Sequence, residues 1–169
     1  MLRNEYLIAR RRYEPESTRL VIIAESPPAS GLYFYNPEGR VTEPLFKALM
    51  RQLGFSFSRK ADGLQKFQQF GWVLVDATYE PVSQLIDAQR SKVIVRDYRL
   101  LLDDLNRLTP DRSAPLILVK TTVCRTLEPR LVSDGFNVLN RGIAIPFPST
   151  GHQSQFHKKF STVRNSAEF

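Results

Sequence analysis

Four short apolar runs punctuate the chain, over 20–24, 72–75, 116–119 and 142–145, the last and weakest preceded by Val138 and Leu139. Each is largely β-branched or aliphatic and is bounded by polar or turn-forming residues. A continuous apolar run of this length, without alternation, is the pattern of a strand buried on both faces of a parallel sheet. Between the runs the period changes. Over 43–53, Leu45, Phe46, Leu49, Met50 and Leu53 share one helical face, with Thr42 as the expected N-cap and Pro44 in the first turn. Over 97–108, Leu101, Leu102, Leu105 and Leu108 repeat the pattern, which stops ahead of Pro110. Strands alternating with helices predict a three-layer α/β/α sandwich around a central, mostly parallel four-stranded sheet. We expect one domain over 1–169, with 1–15 and 161–169 peripheral and the tail after Phe160 prone to fray. The chain carries no internal repeat and no low-complexity segment.

Composition narrows this picture in three places. With 169 residues, 42% of them hydrophobic and 24% charged, the chain can bury a full core and is not of the disordered class. Its net charge of +7 favours a polyanionic partner, because Lys and Arg displace counterions from a phosphate backbone. Many basic proteins nonetheless bind no nucleic acid, so charge favours DNA or RNA without establishing either. The single cysteine, Cys124, excludes an intramolecular disulfide and any multi-cysteine metal or cluster site, and its apolar surroundings point to an inert buried thiol rather than a nucleophile. No apolar stretch approaches the ~20 residues of a membrane span. Arg3, Arg10, Arg11 and Arg12 precede no secretory h-region. The expected location is therefore cytoplasmic, or nucleoid-associated in a bacterium.

In parallel α/β sheets, ligands collect beyond the carboxyl ends of the strands. Three loops at such ends are rich in prolines, aromatics and polar groups. The first runs from Glu25-Ser26-Pro27-Pro28 through Ser30-Gly31-Leu32-Tyr33-Phe34-Tyr35 to Pro37, and the second is Asp76-Ala77-Thr78-Tyr79-Glu80-Pro81. The third is Pro146-Phe147-Pro148-Ser149-Thr150-Gly151-His152-Gln153, followed by Lys158 and Lys159. Prolines stiffen a loop enough to hold a side chain in place without help from a core.

These loops resemble, in order and spacing from about Leu20 to Phe160, the motifs of the uracil-DNA glycosylase superfamily. Ala24-Glu25-Ser26-Pro27-Pro28 stands where members have a Gly-Gln-Asp-Pro-Tyr or Gly-Glu-Ala-Pro-Gly loop. Ser30-Gly31-Leu32-Tyr33-Phe34 is similar to Asn-Gly-Leu-x-Phe, and Gly71-Trp72-Val73-Leu74-Val75-Asp76-Ala77 to Gly-x-Leu-Leu-Leu-Asn-Ala. Phe147-Pro148-Ser149-Thr150-Gly151-His152 stands in place of His-Pro-Ser-Pro-Leu-Ser. The lack of four cysteines sets the chain apart from the iron–sulfur branches.

The resemblance implies excision of uracil from DNA by base flipping and hydrolysis of the N-glycosidic bond, as in base excision repair, with no metal and no dissociable cofactor. It makes Phe34 the platform on which the flipped base stacks; without that context Phe34 reads equally as a core aromatic. Asp76 takes the base-reading position where members have Asn. An ionised Asp offers only acceptors, whereas a protonated one offers a donor and an acceptor as an amide does. An acceptor there also suits the cytosine amine, and a helix-capping or loop-anchoring Asp76 is the plain alternative. Ser26 replaces the water-orienting Asp, which leaves Glu25, with Ser26, to position the water. The alternative is that Glu25 bonds loop amides while Ser26 holds the turn. Phe147 replaces the His that stabilises the leaving base, so His152 is the candidate for that role, for a DNA contact, or for no role. Pro148, Ser149 and Thr150 are expected at the DNA backbone, His152 or Gln153 as the wedge, and Lys158, Lys159 and Arg164 at phosphates or on a solvated basic face. Two further readings stand beside this one. The first is a catalytically weakened member that binds damaged or abasic DNA. The second is an enzyme or sensor for free nucleobases or nucleotides, which the basic charge disfavours. A monomer is the expected state.

Overall fold

The computed structural model describes residues 1–167. It shows an α/β protein with a three-stranded parallel sheet and, among the described residues, seven helices. The strands are β1 (Leu20–Ala24), β2 (Trp72–Asp76) and β3 (Leu116–Leu118), in the order β2-β1-β3. The helices are α1 (Arg3–Arg11), α2 (Pro44–Leu53), α3 (Lys60–Gln69), α4 (Asp87–Arg96), α5 (Tyr98–Leu108), α6 (Thr121–Ser133) and α7 (Gln153–Asn165).

Both faces of the sheet are covered, which explains the unbroken apolar runs. Leu20, Ile22, Ala24, Trp72, Leu74 and Ile117 join one core with Tyr6 and Leu7 of α1, Phe46 and Leu49 of α2, Leu64 and Phe67 of α3, and Phe156 and Phe160 of α7. Val21, Ile23, Val73, Val75, Leu116 and Leu118 join the other with Ile94 of α4, Leu101 and Leu105 of α5, and Val123 and Leu127 of α6. The period-2 alternation along each strand thus sorts neighbouring residues into opposite cores, an arrangement compatible with an α/β sandwich.

The expected fourth strand is absent as a continuous element. Only isolated parallel bridges, Leu116 to Val138 and Val119 to Ile145, connect that segment to β3. Between them the Asn140 side chain does the work of a strand. Its Oδ1 accepts from the Leu118 N–H at 2.9 Å and its Nδ2 donates to the Leu118 carbonyl at 2.8 Å. With the carboxamide occupying the ladder, the backbone of 141–144 is free to turn outward at Gly142, whose φ is +69°.

Other expectations shift by small amounts. Thr42 is not the cap of α2; Glu43 holds that position and Pro44 is the first helical residue. The helix expected from residue 97 starts at Tyr98, and the Asp97 carboxylate instead accepts from Thr78 Oγ1 at 2.6 Å. The segments expected to be peripheral contribute to packing. Tyr6, Leu7 and Arg10 are buried, and α7 continues past Phe160 to Asn165 with Val163 buried. Residues 168 and 169 of that tail lie outside the described residues. Cys124 is buried in α6, and burial pushes its thiol pKa up, as suits an inert side chain. Among the described residues, no helix is long and apolar enough to cross a membrane.

Candidate active site

The parallel register brings three strand ends side by side, and each delivers one charged side chain. Ala24 pairs with Asp76 at the end of β1 and β2, so Glu25 follows directly beside Asp76. The ladder continues past the strands, with Ala77 N–H donating to Ala24 O at 2.8 Å and Thr78 N–H to Glu25 O at 3.1 Å. On the other side, Val119 N–H donates to Ile23 O at 2.9 Å, which places Lys120 at the end of β3. Lys120 Nζ then reaches Glu25 Oε1 at 2.6 Å.

These ends open into a cavity of about 360 Å³ whose walls include Glu25, Ser26, Leu32, Tyr33, Phe34, Leu45, Asp76, Lys120 and Phe147. That volume suits a small organic ligand or an extruded nucleotide base, since such pockets run from ~300 to ~1,000 Å³. Phe34 is both wall and core. It meets Tyr35 edge to face at 4.9 Å and Phe67 at 5.3 Å, so its ring is fixed by packing while it borders the cavity. The loop carrying it is tied from below by Lys60, which donates to Tyr33 O at 2.9 Å and to Glu43 Oε2 at 2.5 Å.

The two acids differ in their surroundings. Glu25 is 6% exposed; one carboxyl oxygen pairs with Lys120 and the other, Oε2, has no partner. Asp76 is 4% exposed, and its pKa rises to about 7. Burial is the main cause; the Arg10 charge opposes it and the neighbouring Glu25 adds to it. Arg10 itself is fully buried, held by Glu14 at 2.9 Å and Asp104 at 2.6 Å, and it donates to Tyr79 Oη at 2.6 Å. Tyr79 Oη in turn accepts weakly from the Asp76 N–H at 3.4 Å. A second cavity, about 420 Å³, is lined by Leu2, Arg3, Tyr79, Arg96 and Leu100, and Asp76 lines it as well.

Of the residues singled out from sequence, the cavity brings together Glu25, Ser26, Phe34, Asp76 and Phe147. Ser26 Oγ accepts from Val82 N–H at 3.3 Å, a bond that ties the loop after β1 to the loop after β2. Phe147 is 36% exposed and lines the cavity with an apolar ring. The rest of its loop is not part of the lining. Pro148 is buried, and its carbonyl accepts from the Gln153 side chain. His152 occupies the N-cap position of α7, exposed, with Nδ1 3.2 Å from Ser149 Oγ. Thr150, Lys158 and Lys159 are exposed, Lys159 reaching Ala144 O at 3.0 Å. Arg164 does not stand free for a phosphate: it donates to Gln52 O and lies 4.9 Å over the Trp72 ring. Among the described residues, no group of His, Cys, Asp and Glu side chains is placed to hold a metal ion.

Lys120 is the residue that sequence reasoning missed. The available signal was its place directly after the third apolar run, a strand end like the other two. Its backbone marks it further, since φ is +87° and ψ +137°, a conformation that almost only glycine adopts without strain. No protein-family model matches the chain, and no curated protein matches it.

Proposed function

We propose that the chain is a DNA glycosylase that removes uracil by hydrolysing the N-glycosidic bond, with the cavity at the strand ends as its base pocket. The observation that carries this reading is the pair of buried acids, Glu25 and Asp76, meeting at one wall of a cavity bordered by fixed aromatic rings. A flipped base would stack against Phe34, recovering about 1–3 kcal/mol of the flipping cost. Asp76, with a pKa of about 7, carries its proton over the lower half of the neutral range. A protonated carboxyl offers one donor and one acceptor, the pair an amide would present to the uracil edge.

Glu25 positions the water. Its Oε1 is anchored by Lys120, and its Oε2, shielded from solvent, has no partner and is the carboxyl's uncommitted acceptor for a water proton. The water oxygen bonds to C1′ as the C1′–N bond breaks; the bonding pair leaves with the base, and the water proton passes to Glu25. Phe147 adds an apolar ring to the cavity wall, and a bound base that displaces water there would strengthen the charge interactions inside. DNA is the partner, attracted by the net charge of +7, and the protein acts as a monomer.

The test is incubation with uracil-containing single- and double-stranded oligonucleotides, followed by alkaline cleavage at abasic sites, with cytosine controls. Strand breaks at uracil are expected, falling about 10²–10⁴-fold in Glu25→Gln. A gel shift without breaks supports the binder of damaged DNA instead, a reading favoured by the absence of a hydrogen-bond donor on Phe147. The absence of both breaks and a shift would remove DNA as the partner.

A further inference from the structure

We propose that Lys120 is a nucleophile, forming an imine through Nζ with the aldehyde carbon of a ring-opened abasic deoxyribose, the sugar left when a base is lost. This rests on the reading of the cavity as a base-excision site, because that reaction delivers such a sugar beside Lys120.

Four observations carry the proposal. Lys120 supplies the only amine among the residues lining the cavity, and its side chain is 28% exposed. Its ammonium has a proton acceptor in place, Glu25 Oε1 at 2.6 Å, and Glu25 Oε2 beside it is unpaired. The backbone that launches it is strained at φ +87° yet pinned on both sides. Its N–H donates to Ile145 O at 2.7 Å and its carbonyl accepts from Cys124 N–H at 3.0 Å. Strain of about 1–3 kcal/mol at a non-glycine residue persists only where the surroundings enforce it, and such residues cluster at functional sites. Finally, Asp76 lines the same wall and supplies a second carboxyl to exchange protons.

The step balances without a further reactant. Nζ gives one proton to Glu25, and its lone pair bonds to C1′ while the carbonyl pair moves to oxygen. Two protons leave with that oxygen as water, and the C1′=Nζ bond of the imine remains. Hydrolysis reverses the sequence and frees the sugar.

The experiment adds borohydride to the full chain with two oligonucleotides, one carrying a preformed abasic site and one carrying uracil. The abasic strand is expected to give a covalent protein–DNA band in denaturing gels, with peptide mass mapping placing the sugar on Lys120. Lys120→Arg, which keeps a cation beside Glu25, is expected to lose the band. No band from the abasic strand, or a sugar mapped to another amine, overturns the proposal. The two readings fail separately. A Lys120 adduct from the abasic strand, with no alkali-labile breaks in the uracil strand, removes excision and keeps the imine. Breaks at uracil with no adduct from either strand keep excision and remove the imine.

Discussion

Asp76 shows how burial alters the chemistry of a single residue. Its carboxyl goes from an unfolded pKa near 3.8 to about 7 in the folded protein, chiefly because the charged form is desolvated. Between those values the folded state holds a proton that the unfolded state has released, so this group's contribution to stability falls as pH rises. The contribution is complete below about pH 4 and is lost as pH passes 7, at about 1.4 kcal/mol per unit between. Asp76→Asn removes the titration. In urea melts the wild type should therefore lose stability relative to Asp76→Asn by a few kcal/mol between pH 5 and pH 8. Parallel pH profiles for the two proteins would show that the carboxyl stays ionised throughout. The same titration predicts that uracil excision by the wild type declines through about pH 7, while Asp76→Asn, whose amide reads the base at any pH, declines less.

The elements around the site are held by side chains acting in place of backbone. Asn140 is 1% exposed and closes the edge of the sheet where a fourth strand would lie. Its amide satisfies both the N–H and the carbonyl of Leu118, two residues before Lys120. Asn140→Ala leaves the Leu118 N–H buried and unpaired, at a cost of about 1–3 kcal/mol, and leaves its carbonyl with only the weak Cys124 thiol donor at 3.4 Å. The expected result is a denaturation midpoint lowered by a matching amount, together with weaker activity, because the end of β3 carries Lys120. A loss well under 1 kcal/mol would mean that the 138–145 segment closes into a regular strand when the side chain is removed. Beside the loop after β2, α1 has a comparable role. Arg10 brings that helix against Asp104 of α5 and Tyr79 of the loop after β2, so the chain's N-terminal segment helps set the charge environment of Asp76.

At the scale of the whole molecule, the net charge of +7 bears on the proposed DNA partner. The excess of cations, 24 Lys and Arg against 17 Asp and Glu, is partly consumed internally. Arg10, Lys60 and Lys120 are all committed to acids within the protein. Exposed cations such as Lys158 on α7 remain for phosphates. DNA affinity should fall steeply with salt. Replacing Lys158 and Lys159 by Gln should weaken binding to all sequences alike and lower the log–log salt slope by about one per phosphate contact removed. Fluorescence anisotropy across a salt series checks this; an unchanged slope would place the DNA on another face.

What the linear pattern determined by itself was whatever depends on neighbours along the chain. The runs at 20–24, 72–75 and 116–119 read as buried parallel strands because a strand covered on both faces has no polar side to show. That Glu25 and Asp76 sit at neighbouring strand ends follows from the apolar runs that precede them, whereas Phe34 was singled out through the motif resemblance; all three line the cavity. The interruption of the expected fourth strand was not legible, because Asn140 takes over its hydrogen bonds through a side-chain contact with Leu118, 22 positions away. Nor was Lys120, whose meaning comes from a glutamate 95 positions away and from a backbone conformation imposed by its surroundings. His152, close to Phe147 in sequence, sits at the N-cap of α7 and is not part of the cavity lining, a separation that only the turn into the helix sets. Tertiary structure alone could assemble the acid pair with its lysine, since only the parallel register of three separate strands sets Asp76, Glu25 and Lys120 side by side.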